Sequence, residues 1–193
     1  MSAAQVSVQQ VPDSPAPLPR PRVVIRADLL PALGVLCVVA VLGLPLGWLW
    51  SRLAPVEIAS VVAVPGTGEL GLAPMLGQSE HRFDGMATFV LFGLAAGVLT
   101  GVALWLVRSL RGPVVLVGAV LGSLAAAWFA MRIGLWLAGM RYPLGDLRLG
   151  DVVARAPVLA SAWVIVAQPF GVAVAYSLAV SWHGSEDLGR SPS

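Results

Sequence analysis

Four uninterrupted apolar stretches, at about residues 29–51, 85–107, 113–139 and 157–181, constrain this chain more than any other feature. Each is near or above the roughly 20 residues that an α-helix needs to cross the hydrocarbon of a bilayer. Inside hydrocarbon every backbone N–H and C=O must be satisfied within its own segment, so such stretches fold as helices. The chain is 58% hydrophobic and 11% charged, which lies outside the range of a soluble domain. The expected fold class is therefore an all-α integral membrane protein with four transmembrane helices. Residues 27–183 form this transmembrane domain, between a proline-rich tail over 1–26 and a short tail over 184–193. The first tail, with SPAPLPRPR, has no apolar signal-peptide core and reads as polyproline-leaning chain. The first apolar stretch is too long for a cleaved signal and reads as a retained anchor.

All 12 basic side chains are arginines scattered between apolar segments. A nucleic-acid footprint needs clustering on one face, so the expected partner is the bilayer and not nucleic acid. With both termini on one side the arginines divide evenly, and their placement decides the orientation. The tight RSLRG link between the second and third spans and the PRPRVVIR flank of the first weigh most, since short flanking segments set topology. A multi-pass plasma-membrane protein with both termini cytoplasmic is expected. Trp163 and Trp182 lie about 28 Å apart along a helix, which matches the separation of two interfacial belts. On that ruler Trp48, Trp50, Trp128 and Trp136 fall in the outer belt and Trp105 in the inner one. Cys37 lies within an apolar run and is expected to pack there.

The second span carries Gly85, Gly93, Gly97 and Gly101 at multiples of four, and the third carries Gly118, Gly122, Ala126, Ala130 and Gly134. Lipid supplies little hydrophobic drive between helices, so close backbone approach through small residues favours their association. Folding at the RSLRG link would set Gly101 against Gly118, Gly97 against Gly122 and Gly93 against Ala126. The alternative use of either stripe is a homo-oligomer. Pro31 and Pro45 lie in the first span. In the fourth, Gln168 precedes Pro169 near the centre, so a kink is expected there with a polar side chain beside it.

Between the first two spans, VEIASVVAV, PGTG and ELGL read as a short outer β-hairpin. The GTGELG within it fits the GxGxxG spacing, yet no βαβ unit surrounds it, so no dinucleotide is implied. SEHRFD is the densest polar cluster. Glu80, His81 and Asp84 supply the residue types of a metal or catalytic site, but neighbours in sequence are not the spatial arrangement that either chemistry requires. Headgroup contacts are the simpler role, and no cofactor or metal is implied.

The order of a proline-rich tail, WSRLAPVE at the end of the first span, SEHRFDG, a glycine-rich second span, AAWFAMRIG and DVVARAP resembles an actinobacterial family of small four-span membrane proteins carrying a domain of unknown function. The resemblance covers nearly everything from about residue 26 onward. It implies the topology and brings no chemistry with it. The function expected is that of a non-enzymatic structural or accessory component of the cell envelope, touching another membrane protein. The alternatives are a small transporter or ion-pathway subunit using Gln168, Pro169 and Arg132, and an outer-face enzyme built on Glu80, His81, Asp84 and Arg82. Arg132, inside AWFAMRIGLWLAG, falls about 29 Å along its helix from Pro113, near the outer boundary. There it is expected to lie between Trp128 and Trp136 and to anchor at the lipid headgroups, with an ion pair to Glu57 or Glu80 as the alternative.

Overall fold

The computed structural model describes residues 25–75, 79–107, 110 and 112–183. The proline-rich segment up to residue 24 and the tail from 184 lie outside the described residues. The first apolar stretch is two helices, α1 (Ile25–Val41) and α2 (Gly43–Leu53). They meet at Leu42, whose N–H turns to the carbonyl of Val39. Pro45 causes the break, because it has no N–H for the carbonyl four residues before it. β1 (Glu57–Ala63) and β2 (Leu70–Pro74) follow, then α3 (Ser79–Leu106) and α4 (Pro113–Arg141). β3 (Val152–Arg155) precedes a 3₁₀ turn, Ala162–Val166, that runs into α5 (Ala167–His183). Four helical segments, Leu29–Leu53, Phe83–Leu106, Pro113–Arg141 and Ala162–Trp182, are long and apolar enough to cross a membrane.

The fourth segment starts later than 157, and its regular α-helix begins at Ala167. Pro169 sits in the first turn of α5, where its missing N–H has no intrahelical role. The change from 3₁₀ turn to α-helix falls just before it.

The small-residue stripes are used, but with other partners than the RSLRG link suggests. α1 and α2 lie along α4, and α3 lies along α5, while α3 and α4 touch little. A Cβ added at Gly118 would stand 2.6 Å from the carbonyl oxygen of Ala32, and one at Gly122 would stand 2.7 Å from that of Leu36. Beyond the bend, Gly43 faces the carbonyl of Ala126, and a Cβ at Gly47 would stand 2.6 Å from that of Ala130. Residue numbers rise together along both helices, so the first and third spans run parallel. The second pair is built alike. Gly97 faces the carbonyl of Gln168, a Cβ at Gly101 would stand 2.7 Å from the oxygen of Val172, and one at Gly171 would stand 3.0 Å from that of Leu94.

The pairing of Gly101 with Gly118, Gly97 with Gly122 and Gly93 with Ala126 is therefore not the one adopted. Gly43 and Gly47 on the first span, and Gly171 on the fourth, supply matching notches in parallel helices, so each stripe finds a complementary backbone elsewhere. α3 and α4 contribute to a common apolar cluster at Phe89 and Ala130, next to Trp50.

One end of the bundle carries a three-stranded antiparallel sheet in the order β2-β1-β3. The expected hairpin is present, with Ala63 paired to Leu70 next to the turn. Gly66 and Gly68 form that turn at φ 88° and 69°, a left-handed region that favours glycine, so the GxGxxG match is turn chemistry. DVVAR, which showed no strand signal beside the hairpin, adds β3 to the other edge of β1 and sets Arg155 across from Glu57. Glu57 is buried.

Candidate functional site at the junction of the helix pairs

Trp50 does not belong to an interfacial belt. It is fully buried, and its indole Nε1 donates to the carbonyl oxygen of Gly85 at 2.9 Å. Its ring meets Phe89 edge to face, with centroids 5.9 Å apart. A Cβ at Gly134 would stand 2.8 Å from the ring carbon Cε3, so that glycine makes room for the indole on α4. One side chain thus joins α2, α3 and α4. Gly43, Gly47 and Trp50 share one face of α2 by their spacing, which is the signal that marks Trp50 as inward-facing. Trp48, Trp128, Trp136, Trp163 and Trp182 are exposed, as interfacial tryptophans would be.

Beside Trp50 lies a cavity of about 10 Å³, lined by Leu46, Phe89, Phe92, Gly93, Ala127, Ala130 and Gln168. Gln168 is 1% exposed, and among the described residues neither its Oε1 nor its Nε2 has a hydrogen-bond partner. A buried polar group left unpaired costs on the order of 1–3 kcal/mol. Close packing of Gly97 against the Gln168 carbonyl fixes the backbone here, so the side chain is placed by the contact between α3 and α5.

A second feature is a groove between α1 and α3. Pro31, Gly34, Val38 and Leu42 form one wall, and Thr100, Ala103, Leu104 and Val107 the other, around about 460 Å³. It continues past Leu42 and Thr100 into a further volume of about 430 Å³ beside Leu46, Leu49, Ala96 and Leu99. The Thr100 hydroxyl donates to the carbonyl of Ala96 at 2.7 Å, so the groove surface is apolar.

The remaining candidates stand apart from this junction. Arg132 is exposed, and among the described residues it has neither an ion pair nor an indole against its guanidinium. Glu57 and the indoles of Trp128 and Trp136 do not meet it, and the side chain of Glu80, the other acid expected, lies outside the described residues; Arg52 instead lies over the Trp48 ring at 5.5 Å. The reason is geometric: Arg132 points out of the bundle, while Glu57 is buried in the sheet. Glu80 and His81 fall in the first turn of α3, and their side chains lie outside the described residues. Asp84 is exposed on the same helix. Among the described residues no three metal-ligating side chains converge. Cys37 is exposed on α1 and does not pack inside.

These observations define a class of protein: four apolar helices of membrane-crossing length in two parallel pairs, with a small sheet at one end. Residues 39–190 match the family described as protein of unknown function DUF2567, and the chain belongs to it. It is similar to the uncharacterized protein ML1222 of Mycobacterium leprae, 31% identical over 89% of each chain. It is also similar to the uncharacterized protein Rv1591 of Mycobacterium tuberculosis, 30% identical over 78% of this chain and 86% of the relative. No solved structure matches it.

Proposed function

We propose that the chain is a multi-pass plasma-membrane protein with both termini cytoplasmic, acting as a non-enzymatic accessory component of the cell envelope. Its task in this reading is to receive one apolar helix of another membrane protein in the groove between α1 and α3. The observation that carries the proposal is Gly34. Of the helical glycines described, those at positions 43, 47, 93, 97, 101, 118, 122, 134 and 171 each have a neighbouring segment within contact distance of an added Cβ. Gly34 has nothing within 4 Å and is exposed in the middle of α1, whereas Gly85, equally open, is buried with its carbonyl taken by Trp50, and Gly139 lies in the last turn of α4. Across the groove Ala96, Thr100 and Ala103 continue a row of small side chains on α3. A notch of small residues facing small residues is what close helix approach requires, and at this depth the complementary partner is another helix.

The test is a photo-reactive side chain at Val38 or Leu99 in native membranes. One discrete adduct with another membrane protein, lost in Gly34→Leu while the chain remains folded, supports the reading. Adducts with lipid alone, or with a second copy of this chain, refute it. The orientation is tested separately: Thr67→Cys should react with an impermeant thiol reagent in intact cells, and protection there would reverse the topology. A second reading, a small-molecule or ion pathway, is favoured only by the buried amide of Gln168; loss of a transport phenotype in Gln168→Leu would support it.

A further inference from the structure

Trp48 and Arg52 on α2 have the same four-residue spacing as Trp128 and Arg132 on α4, yet the two arginines end differently. On α2 the guanidinium lies over the indole, 5.5 Å from its centre. On α4 the Trp128 ring meets Phe129 edge to face, with centroids 5.3 Å apart, and among the described residues Arg132 has no aromatic or acidic partner. α4 itself contains no acid. Ala130 and Gly134 face α2, and Arg132, two residues from each, stands about 200° round the helix from them. It lies on an exposed strip of α4 with Leu121, Trp128 and Trp136. The same contacts fix its depth. Gly47 is level with Ala130 and Trp50 with Gly134, so Arg132 is level with Trp48 and Leu49, about 7 Å short of the end of α2 at Leu53.

A charge on the lipid-facing side of a span is costly, and it draws a counter-charge to itself. Among the described residues no side chain supplies one, and the group of opposite charge that a bilayer offers near this level is a lipid phosphate. The planar guanidinium matches a phosphate with two parallel N–H donors. We propose that Arg132, between Trp128 and Trp136, is a binding site for the phosphate of one anionic phospholipid in the leaflet on the sheet side. The guanidinium donates to two phosphate oxygens, and the two exposed indoles flank the glycerol region, where such rings settle. This inference rests on the reading that the four helices cross a bilayer and is independent of what fills the groove between α1 and α3.

An exposed contact of this kind adds little to folding, so lipid occupancy is the readout. Full-length protein in mixed micelles is titrated with phosphatidylglycerol and with phosphatidylcholine, and bound lipid is counted by native mass spectrometry. One phosphatidylglycerol should bind about fivefold more tightly than phosphatidylcholine. Arg132→Gln should erase that preference, whereas Arg148→Gln, which removes the same charge from an exposed turn beyond α4, should keep it. An unchanged preference in Arg132→Gln, or an equal loss in both variants, overturns the proposal. Displacement of the lipid by inorganic phosphate overturns it too, since the site would then be one for a free anion. Tighter lipid binding in Glu80→Gln overturns it as well, by showing that Arg132 is already paired. Quenching of the exposed tryptophans, Trp163 and Trp182 among them, by lipids brominated in the acyl chain tests the membrane reading separately. Quenching without a headgroup preference refutes this inference alone, and no quenching refutes the membrane reading with it.

Discussion

Gly122→Ala is the perturbation that most directly probes the parallel pairing of the first and third spans. The atoms nearest to an added Cβ are the carbonyl oxygen, Cα and carbonyl carbon of Leu36, at 2.7, 2.9 and 3.2 Å. All three belong to the main chain, so no rotamer change relieves the contact. A carbon–oxygen contact of this kind settles at roughly 3.3–3.6 Å, so the helices must move apart by about 0.6–0.9 Å. A gap of that size forfeits a quarter to a half of the dispersion energy of each atom pair along the row from Ala32 to Ala130. Overpacking of this sort costs about 1–3 kcal/mol. The higher helix preference of alanine offsets about 0.5–1 kcal/mol of it. A net loss of about 0–2.5 kcal/mol is expected, from the difference of those two ranges. Gly139→Ala is the control, because nothing lies within 4 Å of an added Cβ there, and it should stabilise by about 0.5–1 kcal/mol. The assay is reversible unfolding in mixed micelles, with both variants measured against the wild type. If Gly122→Ala is as stable as Gly139→Ala, the close approach of α1 to α4 is wrong. Leu36→Ala should fail to rescue Gly122→Ala, since the clash is with backbone.

Trp50→Phe keeps an aromatic ring between Phe89 and Gly134 but removes the N–H that reaches Gly85. It should cost about 1–3 kcal/mol in the same unfolding assay, and a change near zero would mean that the indole bond is not formed. Gly68→Ala forces a side chain onto a residue at φ 69°, for which roughly 1–2 kcal/mol of strain is expected; faster protease nicking of the turn between β1 and β2 would report it, and unchanged nicking would refute it. Arg132→Gln removes an exposed charge with no ion pair among the described residues, so its unfolding midpoint should shift by no more than about 0.5 kcal/mol corresponds to, and a loss several times larger would show a hidden partner.

The number and approximate limits of the apolar helices were legible because a membrane-length run of apolar residues has few structural solutions. The hairpin was legible from its turn glycines. β3 was not, because a strand of four residues carries too little alternation to be separated from loop, and pairing with β1 stabilises it. At the candidate site, Gln168 stood out as a polar residue in an apolar run, but its burial and its unpaired amide depend on Gly97, which draws the backbone of α5 onto α3. Trp50 was misplaced by a ruler that treats every tryptophan near a helix end as interfacial. Its indole is drawn inward by a notch at Gly134 on a helix far away in sequence. The same limit applies to Arg132, whose depth follows from helical rise, whereas its neighbours depend on where the sheet comes to lie.

By itself the sequence determined that glycine stripes on the second and third spans would meet a backbone, since small residues repeated every four positions leave a notch on one helix face. Which backbone fills each notch was decided only by the tertiary structure. Gly118 and Gly122 receive Ala32 and Leu36, and Gly97 and Gly101 receive Gln168 and Val172, although a short link joins α3 to α4. The physical reason is that a notch is a local property of one helix and accepts any complementary main chain. Choosing among four candidate helices requires comparing the packing of the whole bundle, including the bend at Leu42 that lets α1 and α2 both follow α4.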